Sequence, residues 1–270
     1  MYAGTTFNTK SGRVIGVHQK IDRVARRHLA KHLSPNFAFP SAREILHFEG
    51  VNGPDGIKRK SPAADEPWHF INPKNPNDRA VIDMILDHIF NLAKALKDDN
   101  PERAAFEAAW MAHAITDGLT PAHHYPLEEK LAELRDGQGL ETRTSIRGKN
   151  IMPGKNRREM LKNNWEFWGL RGVMTTHFNF EIGVATTVAT ERLEEGNPSE
   201  EQFEFLRKHG FEATFRTIMN EVDDMNMYSE FSRLGWTRHL ADETRRMLIP
   251  RTIQAVVLGW YQACQEAEGK

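Results

Sequence analysis

Apolar side chains recur along this chain at helical spacing and almost never alternate, so the pattern predicts helices separated by loops. A first helix is expected over about 14–33, ending before Ser34-Pro35 because the residue ahead of a proline is pushed out of the helical region. A short helix is expected at 41–48, followed by a long proline-bearing loop over 50–78. Val81, Ile85, Ile89, Leu92 and Leu96 mark one face of a helix over 81–97. The next helix has a plausible N-cap in Asn100 and a proline suited to its first position in Pro101. Its Ala104, Ala105, Ala108, Ala109 and Ala112 let neighbouring backbones come close, and it should stop near Gly118, ahead of Pro121. Residues 136–156 show no clear period, carry several glycines and read as a surface insertion with a basic bias from Arg143 to Arg158. Helices resume over about 157–168, 173–193, 199–221 and 241–265, the last broken or capped around Pro250. The expected fold class is all-α: one compact multi-helix domain spanning residues 1–270.

Composition narrows the function classes. The chain has 270 residues, ample for a buried core. With 36 basic and 37 acidic side chains the net charge is -1, which gives no global case for a long nucleic-acid footprint. Cys264 is the one cysteine, so no intrachain disulfide can form, as suits a reducing compartment. The first twenty residues lack the apolar core of a secretory signal, and no run approaches the ~18 to 20 apolar residues needed to span a bilayer. As it stands the chain reads as cytoplasmic; it would be secreted if a signal peptide had been removed.

Several histidines pair with a carboxylate at a meaningful distance. His113 and Asp117 lie four apart on a predicted helix and face the same way. His123 follows past a Gly-to-Pro break that can turn the chain back. His177 and Glu181 repeat the four-residue spacing on another predicted helix. The long loop supplies His69, in Trp68-His69-Phe70, and Asp55, in Pro54-Asp55-Gly56; His18 opens the first helix. Each has an ordinary alternative: a helix-surface ion pair, a turn aspartate or a packed histidine. Together they form a set of imidazoles and carboxylates with no thiolate, which suits zinc in a hydrolytic site, with manganese or iron as competitors.

The order of these motifs resembles the zinc-dependent phospholipase C / P1 nuclease family. The signature H-x3-D-x5-H, with proline two residues before the last histidine, is met by His113, Asp117, Pro121 and His123. His18, Asp55, His69 and the His177/Glu181 pair match the remaining motifs in order, over about residues 14–185. The resemblance implies an all-α metal-dependent phosphodiesterase. It implies one zinc held by Asp55, His69, His113 and Asp117, a second by His123, His177 and Glu181, and a third shared by His18 and Asp117. Family members complete the third site with the amino group and carbonyl of an N-terminal tryptophan. This chain departs from that at Met1, so two or three zinc ions are expected. The implied chemistry is in-line attack on phosphorus by a metal-bound hydroxide, with Asp55 as general base.

The substrate is less constrained. H-x3-E leans toward the phospholipases, and a phospholipid headgroup is the favoured phosphate ester. The aromatics expected around a choline group are replaced by Glu66 and Gly56. Trp68 could stack on a base or, more in keeping with its neighbours, pack the loop. A single-strand nuclease or 3'-nucleotidase on the same scaffold, and a non-catalytic metal-binding protein, are the alternatives. The basic 143–158 stretch leaves peripheral membrane contact or single-stranded nucleic acid open as partners. The spacing from His123 to His177 is longer than in the family it resembles, so an insertion should reshape the pocket.

Overall fold

The computed structural model describes residues 1–3, 16–60, 69–138 and 143–269, with no strand among them. Thirteen α-helices occur in the described residues: α1 (Val17–Leu29), α2 (Ala42–His47), α3 (Pro54–Lys60), α4 (Ala80–Lys97), α5 (Pro101–Gly118), α6 (Leu127–Leu134), α7 (Ile146–Asn150), α8 (Arg157–Trp168), α9 (Val173–Val188), α10 (Glu200–Asp224), α11 (Met227–Leu234), α12 (Arg238–Glu243) and α13 (Ile249–Glu268). The fold is all-α.

The centre of the fold is α13, packed against α1, α4, α5 and α10. Ile253 and the run from Ala255 to Trp260 are buried on nearly every face, as a helix surrounded by others requires. The alanines of α5 serve the close approach expected of them: Ala104, Ala105, Ala108, Ala109 and Ala112 are buried. The Trp260 indole N–H reaches over them to the Ala108 carbonyl at 2.9 Å. Asn100 caps α5 by accepting from the Arg103 amide, and Pro101 takes the first turn. At the other end of α5, a Cβ on Gly118 would meet the Phe215 ring at 2.7 Å. Glycine there lets α10 press against the turn that carries Asp117.

The structure refines the sequence pattern at several places, and the break expected around Pro250 is there. Within 50–78, Pro54 and Asp55 open the helix α3 instead of a turn, because proline fits the first helical position and a carboxylate favours the N-terminus. Amphipathic α6 and α11 are too short to stand out by period alone. The expected helix over 173–193 stops at Val188, before Leu193, whose φ of 59° is left-handed. Helix α10 kinks at Gly210, with φ 77°. Pro250 has no N–H for the helical ladder, and the chain before α13 widens into a π-turn over Thr244–Leu248.

A second, smaller core joins Phe70, Leu127, Leu131, Leu134, Met152 and Phe167. It holds α6, α8 and the segment after α7 against the start of α9. Within 136–156, Met152 is fully buried, and the Asn164 side chain pairs with both the Met152 amide, at 3.0 Å, and its carbonyl, at 2.7 Å. Asn163 donates to the Pro153 carbonyl at 2.8 Å. Among the described residues, no helix is long and apolar enough to cross a membrane.

Candidate metal centre

The eight residues singled out by spacing come from α1, α3, the 69–70 segment, α5, the turn Pro121–His124 and α9, and they converge on one buried point. Three groups form, each with one nitrogen or oxygen per residue within 4.8 Å of the others: His18, His113 and Asp117; Asp55, His69 and His113; His123, His177 and Glu181. Seven of the eight are buried, while Asp55 is half-exposed at the rim.

Asp117 is the hub. Its Oδ2 meets His69 Nδ1 in a short contact and lies 3.2 Å from His113 Nε2. Its Oδ1 lies 3.3 Å from His18 Nε2, 3.7 Å from His123 Nδ1 and 2.7 Å from the Met1 amino group. Glu181 Oε1 gathers His177 Nε2 at 3.1 Å, His123 Nε2 at 3.3 Å and the Met1 amino group at 3.3 Å. The Met1 carbonyl oxygen is 2.6 Å from His18 Nε2. Met1 therefore brings its backbone nitrogen and oxygen to the place where the resemblance implied a tryptophan's, and the side chain at position 1 takes no part in those contacts.

The outer contacts orient the rings. His113 Nδ1 donates to Glu49 Oε1 at 3.0 Å, which turns Nε2 toward Asp117 and Asp55. His123 Nδ1 donates to the His69 carbonyl at 3.1 Å, which turns its Nε2 toward Glu181. Such bonds on the far nitrogen fix which nitrogen is free to ligate. His18 stacks on His113 with ring centroids 4.0 Å apart, and His123 stacks on His177 at 4.9 Å. Phe70 packs against both of these rings, with centroids 4.9 Å from His123 and 5.6 Å from His177.

Electrostatics keep the two buried carboxylates ionised and the His69 and His123 rings neutral. Burial works against charge on the Asp117 and Glu181 carboxylates, yet the Met1 ammonium and the neighbouring imidazoles hold both well below their usual range. Burial pushes His69 down to about 4 and His123 down to about 3, so both rings are neutral at physiological pH. His113 goes the other way: burial opposes its charge, but Glu49 and Asp117 beside it win. The buried Met1 ammonium is carried up to about 10 by Asp117 and Glu181.

This donor set fits divalent metal. Ligand atoms roughly 2.0–2.1 Å from a tetrahedral zinc stand about 3.3 Å apart. Four imidazole–carboxylate pairs here fall at 3.1–3.3 Å, longer than the best charge-assisted hydrogen bonds. Among the described residues, His69 Nε2 and His113 Nε2 are buried with no hydrogen-bond partner, a costly condition unless something else fills the role. The Met1 ammonium, between Asp117 and Glu181, already stands where a cation balances two buried carboxylates.

Spacing did not reveal Glu49 or Met1. Glu49 is 64 residues from His113 in sequence, and its only local mark is the left-handed glycine that follows it, Gly50 with φ 63°. Trp68 and Glu66, considered for stacking and headgroup recognition, lie outside the described residues, as do residues 14 and 15 of the expected first helix and residues 139–142 of the insertion.

No family model matches the chain, and no curated protein matches it in sequence. Among solved structures, the chain superposes on the alpha-toxin of Clostridium perfringens, isolated from an avian strain, with a TM-score of 0.61 and 14% identity. The match covers 96% of this chain and 66% of the toxin chain, so this chain spans about two thirds of the toxin's length. At that identity the likeness is one of fold: an all-α scaffold shared with the toxin, carrying in this chain three His/Asp/Glu groups able to hold metal.

Proposed function

We propose that this protein is a zinc-dependent hydrolase of phosphate esters, with a phospholipid headgroup as the favoured substrate. The observation that carries the reading is the convergence of three donor groups, each with one ligand atom per residue within 4.8 Å of the others. The motif order, which resembles zinc-dependent phospholipases C and P1-type nucleases, and the fold likeness to the alpha-toxin support it. In this reading the chain is one domain, with 136–156 inserted beside the site.

Asp55, His69, His113 and Asp117 would hold one ion, and His123, His177 and Glu181 a second. His18 and Asp117 would hold a third, with the backbone nitrogen and oxygen of Met1. Zinc bound there supplies Lewis acidity, lowering the pKa of water and offsetting charge on a phosphoryl group. The chain's own residues do the rest. Asp55 is half-exposed at the rim, and its carboxyl is held below the usual range: burial opposes ionisation, but the histidines around it outweigh that. It is thus ionised at neutral pH and placed to orient or deprotonate an attacking water. Lys58, one turn along α3, lies 6.0 Å from the Phe70 ring centroid and lowers the His69 pKa by its charge. It adds a cation on the side from which phosphate oxygens would approach. Glu49 and the His69 carbonyl hold two imidazoles in place, which spares reorganisation during reaction.

The test is elemental analysis of protein purified without chelator or metal-affinity tag, followed by a substrate panel. The panel pairs a short-chain phospholipid with a single-stranded oligonucleotide and a 3'-nucleotide. Two or three zinc ions per chain with phospholipid turnover is the expected result. Protein that takes up no zinc at micromolar concentration would overturn the reading. Turnover of the oligonucleotide alone would move the substrate to nucleic acid.

A further inference from the structure

Helix α8 carries apolar and aromatic side chains on its outward face as well as its inner one. Leu161 is 61% exposed, Trp165 69% and Trp168 46%; Leu170, just beyond the helix, is 84% exposed. Isolated surface hydrophobics are ordinary, but four within ten residues, three of them on one helix face, form a patch that calls for a counterpart. At 3.6 residues per turn, Leu161, Trp165 and Trp168 fall on one stripe. Arg157, Arg158 and Lys162 flank that stripe, and all six lie within roughly 140° of arc. The three basic residues are exposed, and among the described residues none of them is in an ion pair. The acidic residues of α8 are turned away and engaged: Glu159 accepts from the Lys155 amide at 2.8 Å, and Glu166 pairs with Lys130.

The stripe is built onto the metal centre's wall. The Trp168 carbonyl accepts from Thr175 Oγ1 at 2.9 Å, two residues before His177. The inner face of α8 gives Phe167 to the small core that contains Phe70, and Phe70 stacks on His123. The Trp168 indole N–H bonds to the Asn150 carbonyl of α7 at 2.7 Å, and Lys149 of α7 reaches the Lys58 carbonyl of α3. Through these links α8 is tied to the helices that bring His177, Glu181 and Asp55 to the centre.

We propose that the outer face of α8, with Leu170, docks this protein on an anionic phospholipid bilayer. Tryptophan is favoured at the membrane–water boundary, where its ring is buried and its N–H stays wet. Leucine beside it enters the acyl region, and flanking Arg and Lys meet acidic headgroups. A face carrying exposed tryptophan and leucine, edged by cations and cleared of free acid, has the complementarity of such a surface. Docking there would hold the catalytic centre at the layer that contains its substrate. The orientation rests on the hydrolase reading above; the docking itself does not.

The experiment uses the full chain and vesicles of phosphatidylcholine with and without phosphatidylglycerol, read by sedimentation and by tryptophan emission. Two variants are compared: Leu161→Gln/Trp165→Gln, and Arg157→Gln/Arg158→Gln/Lys162→Gln. All five positions are exposed, and circular dichroism confirms that both variants fold. The expected result is binding to the anionic vesicles, weakened by salt, with a blue shift in emission that the Trp165 variant loses. Each Lys or Arg near such a surface is worth roughly fivefold, so the triple variant should bind on the order of a hundredfold more weakly. The Leu161/Trp165 variant should lose on the order of tenfold. Turnover of a soluble short-chain substrate should be unchanged in both. Wild-type protein that ignores anionic vesicles, or variants that bind as well as wild type, would overturn the proposal. So would a concentration-dependent dimer abolished by Leu161→Gln/Trp165→Gln, which would make the face a protein interface. Vesicle binding with no phosphate-ester turnover would leave the docking standing and remove the hydrolase reading; turnover without vesicle binding would do the reverse.

Discussion

Glu49 touches no proposed ion, yet it should set the affinity of one. Its Oε1 receives His113 Nδ1–H at 3.0 Å, and its Oε2 accepts from the Gly50 amide at 3.0 Å. Glu49→Ala removes the acceptor and leaves a buried N–H unpaired, which costs about 1–3 kcal/mol. It also frees the ring to turn, and lost partners of this kind typically weaken metal binding about 10–100-fold. Glu49→Gln keeps an acceptor and loses only the charge, so about tenfold is expected, or roughly 1.4 kcal/mol. The fold should suffer little from the glutamine. Asp22 is buried nearby, and its carboxyl is held well above its usual range by burial and then by the Glu49 charge. Removing that charge relieves Asp22 and offsets part of the loss. The assay is zinc competition against a chromophoric chelator on metal-stripped protein, with a thermal melt alongside. The order wild type, glutamine, alanine in falling zinc affinity is expected, with similar melts for the first two. If both variants bound zinc like wild type while His113→Ala did not, Glu49 would be a bystander and the orienting argument would be refuted.

Asp117→Asn removes the carboxylate that two of the three proposed ions share, so elemental analysis should find only the ion at His123, His177 and Glu181; full metal content would refute Asp117 as a bridge. Glu212 is held at about 2 by Arg79, which bonds it at 2.6 and 3.0 Å, and by Arg216 at 3.0 Å. A depressed carboxylate pKa contributes stability above the unfolded value of 4.5 and loses it as pH falls toward 2. In urea melts Glu212→Gln should therefore be less stable than wild type by about 1 kcal/mol at pH 7, the partly exposed network being screened by solvent, and the gap should narrow below pH 4.5. An undiminished gap at pH 3 would reject the ion-pair account. At Gly183 a Cβ would sit 2.2 Å from the Trp236 ring, so Gly183→Ala should cost about 1–3 kcal/mol and shift Trp236 emission. Unchanged stability and emission would show that the α9–Trp236 contact has room to spare.

The helices that hold the site were legible because their signals are local. The i, i+4 pairs His113/Asp117 and His177/Glu181 lie on α5 and α9, and Asn100 and Pro101 open α5 as their chemistry predicts. The all-α class followed from the same periodicity. What could not be read was decided by contact across the chain. Pro54-Asp55-Gly56 suits a turn as well as a helix start, and the two local signals do not separate the outcomes. Glu49 has no spacing relation to His113, and the place of Met1 beside Asp117 spans 116 residues. The face of α8 was equally hidden: its basic bias was visible, but Trp165 and Trp168 look like core residues until the inner face is filled by Phe167.

The division into a large and a small core bears on how the molecule comes apart. The large core runs through α1, α4, α5 and α13, whereas α6, α7 and α8 depend on a handful of side chains around Phe70 and Met152. Regions with few buried apolar contacts open at lower free energy than the whole, as separate cooperative units. The small core backs His69, His123 and the start of α9. Its partial opening would unseat Phe70 from the imidazole while α5 still held Asp117 and His113. Metal exchange and amide exchange in α6–α8 would then share one subglobal step, well below the barrier to melting the α5–α13 bundle.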